Sequence, residues 1–250
     1  MIVRAVLLVA ALLGAATVQA GGLVDTIRRV KPAVVGITLV PVAGRPAVPA
    51  LAGTGFAVAD GRHVVTNLHV VEPEGRAAPI TVYAVTAAGP DRRDARVVAR
   101  DAVHDLALVR IEGAALPALR LAADARAEEG ASIAITGFPI GPALGLVPAT
   151  NAGIIAAITP ARGSVPHSSM ITPEMLRAPP FILYQLDMVA FPGNSGSPAY
   201  LAETGEVIGI VAAGFIKRDR ERMLKDPSGI SFAVPVRYIA DLVRQAGLTP

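Results

Sequence analysis

The sequence predicts an all-β protein made of two β units of similar size, with helices only at its ends. Three observations lead there. Short segments rich in Val, Ile and Thr recur along most of the chain, separated by turn residues. Gly 24 and Pro 21 in 250 residues follow no fixed period, which excludes collagen and supplies many turns. A weakly patterned connector, Leu116 to Glu129, divides the strand candidates into two groups. At 52% hydrophobic and 17% charged, the chain is far from a disordered composition. Aromatic residues make up 4% and Trp is absent, so the core falls to Val, Ile, Leu and Ala.

The first twenty residues read as an address. Met1-Ile2-Val3-Arg4 is a short basic start, and Ala5 to Ala16 is an uninterrupted run of apolar and small residues. Val18-Gln19-Ala20 then offers small residues at the positions before a signal-peptidase cut. The apolar run is shorter than the ~20 residues that span a bilayer. A cleaved signal over 1–20 is therefore expected, leaving a mature unit over 21–250 with no further membrane attachment, in the periplasm or secreted from a bacterial envelope.

Leu23 to Val30 (LVDTIRRV) places Leu23, Val24, Ile27 and Val30 at helical spacing, and Pro32 ends it. Strands are expected over Ala33 to Val40, Gly53 to Val58, His63 to Thr66, Ile80 to Val85, Ala95 to Arg100 and Leu106 to Ile111. A second group follows over Ser132 to Thr136, Ala152 to Ile158, Phe181 to Leu186, Pro198 to Leu201, Val207 to Ala212 and Ile230 to Val234. Pro235 to Ala246 reads as a closing helix with Val236, Ile239, Ala240 and Val243 on its apolar face, stopped by Gly247. Many short strands with helices only at the ends indicate a barrel or sandwich.

Three segments carry chemistry. VVTNLHVV holds His69, VHDLALVRI holds Asp105 and FPGNSGSP holds Ser195. A serine hydroxyl needs a base to take its proton as it attacks, and imidazole titrates near neutrality. The imidazole needs a carboxylate to fix its tautomer. The order His, Asp, Ser disfavours an α/β-hydrolase, as does Ser at position 197, where Gly-x-Ser-x-Gly would require Gly. Gly193 can turn its N–H inward and Ser195 supplies its own, which makes an oxyanion hole. Ser197, Ser168 and Ser169 lack a glycine on each side. Asp101, the rival acid, is expected to cap a turn. His63, His104 and His167 show no partner pattern and read as structural or solvent-facing.

These residues resemble the trypsin-like serine peptidases of the bacterial HtrA/Deg type, a branch of the chymotrypsin-fold superfamily. TNLHVV is similar to the family's TNxHVV around the catalytic His, HDLALVRI to the segment around its Asp, and GNSGSP to GNSGG(P/A) around its Ser. VDTIRRVKPAVVGI, GTGFAV, GFPIG, GEVIGI and ISFAVP add matches across about 23–240. The resemblance implies two six-stranded antiparallel β-barrels, about 33–115 and 131–235, with the triad between them and a helix over about 235–246. It implies a peptidase domain without a PDZ domain, acting on polypeptide substrates. Ser197 departs from the family's Gly. Residues 21–35 lack the aromatics with which family members build trimers, which leaves the assembly state open, a monomer included.

In the resembled fold the residue six before the nucleophile lies at the base of the S1 pocket. That residue is Val189, with Val211 and Ala213 as expected walls. The pocket then takes Val, Ala, Leu or Ile, and neither Arg/Lys nor Glu. The loops 159–180 and 217–227 would lie near it. Zero Cys excludes disulfides, thiolate metal sites and a thiol nucleophile. No metal-ligand spacing is visible, and no metal or organic cofactor is expected. The net charge of +3 with no dense Lys/Arg stripe gives no reason to expect nucleic acid. Two other functions use the same fold: a catalytically silent protein-binding or chaperone-like module, and an esterase of small acyl esters.

Overall fold

The computed structural model describes residues 22–39, 51–73, 78–87, 89–123, 127–139, 147–161, 180–212 and 229–250. The signal-like start, His167, Ser168, Ser169, Ala213, the loop 217–227 and most of 159–180 lie outside the described residues.

Two closed antiparallel barrels account for the strands. The first contains β1 (Val34–Leu39), β2 (Leu51–Val58), β3 (His63–Asn67), β4 (Ile80–Thr86), β5 (Gly89–Asp101) and β6 (Leu106–Ile111). The second contains β7 (Ser132–Gly137), β8 (Ala149–Pro160), β9 (Ile182–Asp187), β10 (Pro198–Leu201), β11 (Val207–Val211) and β12 (Ile230–Pro235). Around the first barrel the order is β1-β2-β3-β6-β5-β4; around the second it is β7-β8-β9-β12-β11-β10. The same six-strand path is used twice.

Near-continuous apolar runs such as Phe56-Ala57-Val58 and Leu106-Ala107-Leu108-Val109 follow from this doubling. Successive side chains point to opposite faces of a strand. Ala57, Val64, Ala107 and Val109 fill the first barrel with Val35, Ile37 and Val82. Phe56, Val65, Leu106 and Leu108 turn the other way and pack with Phe138, Tyr200, Ile210 and Val234 of the second barrel. Strands at the seam thus bury both faces. Each fully buried Val, Leu or Phe side chain stabilises by about 1.5–3 kcal/mol, and with no cysteines this packing takes the place of disulfide bonds.

The connector runs along the seam without forming a strand. Leu116 and Leu119 donate backbone bonds to Gly61 and Ala57 of the first unit, and Ala122 donates to Val207 of the second. The terminal helices also cross it. In α1 (Leu23–Val30), which precedes the first barrel, Thr26 Oγ1 donates to the Glu203 carbonyl of the second at 3.1 Å. The closing helix, α3 (Val236–Gln245), follows the second barrel and packs on β5 and β6 of the first.

Most strand ends shift by no more than three residues, as in β8, which spans Ala149–Pro160 and not Ala152 to Ile158; two expectations differ further. β5 begins at Gly89, not Ala95, and runs through GPDRRDARVVARD. Its charged half still alternates: Asp91 and Arg93, paired at 2.7 Å, are half-buried, and Arg92 and Asp94 between and beyond them are exposed. The VVTNLHVV segment is strand only to Asn67. A four-residue helix, α2 (Leu68–Val71), follows and carries His69.

Candidate active site

His69 and Asp105 meet on the rim of the first barrel. The break from β3 into α2 turns His69 off the strand direction. Asp105 lies in the turn between β5 and β6, with φ of +55°, a left-handed conformation that costs a non-glycine residue about 1–2 kcal/mol. Four hydrogen bonds hold it there. Its carbonyl accepts from the Leu68 amide at 3.0 Å and from Asn67 Nδ2 at 3.1 Å. Its carboxylate accepts from the His69 amide at 2.9 Å and pairs with His69 Nδ1 at 2.5 Å. An ionised carboxylate only accepts, so Nδ1 carries the proton and Nε2 keeps its lone pair. The two side chains are 24% and 25% exposed.

The Ser195 loop leaves the second barrel as two tight turns, with the Asn194 amide bonded to the Phe191 carbonyl and the Ser197 amide to the Asn194 carbonyl. Gly193 (φ +100°) and Gly196 (φ +87°) take backbone angles that side-chain-bearing residues rarely adopt. The Gly196 amide donates to the Val211 carbonyl and the Ser197 carbonyl accepts from the Val211 amide, each at 2.9 Å.

What brings this loop to the first barrel is Thr54 of β2. Its amide donates to the Ser195 carbonyl at 2.8 Å. Its hydroxyl donates to the Gly193 carbonyl at 2.7 Å and accepts from the Phe138 amide at 3.1 Å. Its carbonyl accepts from Thr66 Oγ1 at 2.7 Å. Gly53, next to it, allows the approach: a Cβ there would lie 2.7 Å from Val70 Cγ2 and 2.9 Å from the Ser195 carbonyl oxygen. The residue after His69 and the carbonyl of Ser195 therefore flank one bare glycine. Little in the sequence points to Thr54. Its partners stand 84 and 139 residues away, and the one local signal is a polar residue inside the apolar strand GTGFAV.

Ser197 is fully buried, and its Oγ occupies the space that a Cβ on Gly137 would need, 1.9 Å from that point. Asn194 Oδ1 and Thr54 Oγ1 approach the same point at 2.9 and 3.0 Å. Among the described residues neither Ser197 Oγ nor Asn194 Nδ2 has a hydrogen-bond partner. Val189 is half-buried, between the buried Met188 and Ala190. Val211 is fully buried in the same cluster as those two neighbours, with Ala199 and Ala233.

Asp101 caps a turn, accepting from the Val103 and His104 amides. His63 and His104 do have partners, each a carboxylate three residues earlier: Asp60 at 2.8 Å and Asp101 at 2.6 Å. The D-x-x-H spacing in both places was the available signal. Burial pushes the Asp101 carboxyl up, but the bond from the His104 ring, the bonds from the two amides and the nearby imidazole outweigh it, and the net shift is downward. Among the described residues no group of three or more His, Cys, Asp or Glu is placed to hold a metal ion, and no helix is long and apolar enough to cross a membrane.

The family model of the trypsin-like peptidase domain matches residues 53–210. The chain is 30% identical over 196 residues to a probable periplasmic serine endoprotease, DegP-like, of Hahella chejuensis, covering 77% of this chain and 35% of that one. A protein of the same description from Ectopseudomonas mendocina is 28% identical over 194 residues, covering 77% and 34%. The chain thus spans about a third of the length of these curated relatives. Its fold is similar to the crystal structure of the serine endoprotease from Yersinia pestis, with a TM-score of 0.64 and 24% identity over 90% of this chain and 66% of that one.

Proposed function

The chain belongs to the trypsin-like peptidase family, and from that premise we propose that it is an exported serine endopeptidase using His69, Asp105 and Ser195. The observation that carries this reading is the Asp105 carboxylate, which takes both the amide and Nδ1 of His69 while the Ser195 loop is tied to the neighbouring strand through Thr54.

Ser195 Oγ attacks the peptide carbonyl as His69 Nε2 takes the hydroxyl proton. The carbonyl oxygen gains the electron pair and lies against the N–H groups of Gly193 and Ser195. The imidazolium that forms is stabilised by Asp105 through Nδ1. His69 then gives its proton to the leaving amine, the C–N bond breaks, and an acyl-Ser195 remains. Water, deprotonated by His69, hydrolyses that ester and frees Ser195. The half-buried Val189 supports a preference for aliphatic P1 residues; Val211 and Ala213 complete the proposed pocket. The relatives' names give a periplasmic setting, which fits residues 1–20 as a cleaved signal.

The test is incubation of the purified chain with casein beside a Ser195→Ala variant. Fragments from the wild type alone support the reading. Intact casein in both overturns the peptidase in favour of a silent binding module, and equal cleavage by both moves the nucleophile elsewhere.

A further inference from the structure

One residue before Asp105 stands a second imidazole that the proposed reaction does not use. His104 Nδ1 lies 2.6 Å from Asp101 Oδ2. Asp101 Oδ1 accepts from the Val103 amide at 3.0 Å and the His104 amide at 3.1 Å. These bonds close the turn that leads from β5 into Asp105. The His104 ring is stacked on Tyr238, with centroids 3.7 Å apart and planes at 20°. It also meets Phe181 in a T-shaped arrangement at 4.8 Å and 78°. Tyr238 belongs to α3, and its hydroxyl accepts from Arg237 Nη2 at 3.0 Å. Phe181 immediately precedes β9. A first-barrel imidazole is therefore gripped by two rings from the second half of the chain.

The bonds of Asp101 are local and fix the shape of the turn, not its place on the protein. The rings supply the place. Asp105 needs such support, because a left-handed non-glycine residue persists only where its surroundings over-determine it. On one side it has Asn67, Leu68 and His69. On the other side the chain enters through His104. If that entry loosens, the φ of Asp105 can relax to an ordinary value and its carboxylate leaves Nδ1.

We propose that His104 is a positioning residue: its ring, held between Tyr238 and Phe181, anchors the turn that presents Asp105 to His69. This rests on Asp105 being the acid of the triad. The closing helix thereby supports the catalytic pair of the opposite barrel.

The test compares wild type, His104→Ala, His104→Phe and Tyr238→Ala in the full chain by peptide turnover, thermal melting and proton NMR. The NMR readout is the low-field Nδ1 proton of His69, which reports the charge-assisted bond to Asp105. His104→Ala is expected to lower kcat about tenfold or more, since small misplacements are costly in catalysis, with KM little changed and the low-field proton weakened or shifted. His104→Phe keeps the stack and is expected to retain most of the wild-type kcat and the proton. Tyr238→Ala removes the stack from the other side and reproduces His104→Ala, should the latter fail to fold. Wild-type kcat and an unchanged proton in a folded alanine variant would overturn the proposal, as would His104→Phe falling as far as His104→Ala. A proton that responds to these substitutions in a protein cleaving no peptide would leave the anchor standing and remove the peptidase reading instead.

Discussion

The hydroxyl of Thr54, in the first barrel, donates a 2.7 Å hydrogen bond to the carbonyl of Gly193, in the second. It joins the strand beside His69 to the loop that bears Ser195 and the proposed oxyanion donors. Thr54 is fully buried, so a hydroxyl-free replacement leaves the Gly193 carbonyl and the Phe138 amide without this partner.

Replacing Thr54 by Val removes both bonds at nearly constant volume. A buried group left unpaired costs about 1–3 kcal/mol, and about 1.4 kcal/mol of transition-state stabilisation is tenfold in rate. Peptide turnover by Thr54→Val is expected to fall about ten- to a hundredfold, chiefly in kcat, while Thr54→Ser stays near wild type. Equal activity of the valine and serine variants would show that the hydroxyl is dispensable.

Ser197 makes the opposite case. Its Oγ is buried without a partner among the described residues. Ser197→Ala removes a desolvated hydroxyl and is expected to raise stability by about 1 kcal/mol, a rise in Tm of about 2–4 °C for a chain of this size. A calorimetric Tm lower than that of wild type would mean that the hydroxyl is hydrogen-bonded in solution.

Gly196 has no room for a side chain. A Cβ would lie 1.9 Å from the Thr54 carbonyl oxygen, and φ is +87°. Gly196→Ala must push the Ser195 loop away from β2, so activity is expected to be lost even where circular dichroism reports folded barrels. Retained turnover would show that the loop tolerates separation from Thr54.

The depressed Asp101 carboxyl sets a pH dependence of stability. A group whose folded pKa is lowered contributes above its unfolded value, about 3.9 for Asp. That contribution fades as pH falls through the folded value. Asp101→Asn is therefore expected to be less stable than wild type by urea unfolding near neutral pH, with the gap closing as the solution is acidified below the ordinary carboxylate range. A gap that stays constant to low pH would separate the turn's stability from this carboxylate.

Val189 offers a test of the pocket. Val189→Asp puts a carboxylate at the proposed base of S1 and is expected to move preference in a peptide library from aliphatic residues to Arg and Lys at P1. An unchanged profile would mean that Val189 serves only as core.

The strands were legible because they are local patterns, and the doubled apolar runs at the seam still read as strands; their closure into two barrels was implied by the family resemblance alone. The polar half of β5 was not legible, since Arg and Asp occupy both of its faces and leave no apolar period to detect. The motif around His69 shows in the sequence, but the four-residue helix that carries it is too short to show a helical repeat. Ser195, Asp105 and His69, the proposed triad, each stand in a recognisable local sequence. Thr54 and the rings around His104 act through partners remote in sequence, so their roles exist only once the two barrels close on each other.

The central claim is that Ser195 is the nucleophile activated by His69. Labelling the native chain with an active-site-directed fluorophosphonate, and mapping the adduct by peptide mass, tests it most directly. One adduct is expected, on Ser195, strongly reduced in a folded His69→Ala variant. An adduct on another residue, or none on folded wild-type protein, would contradict it.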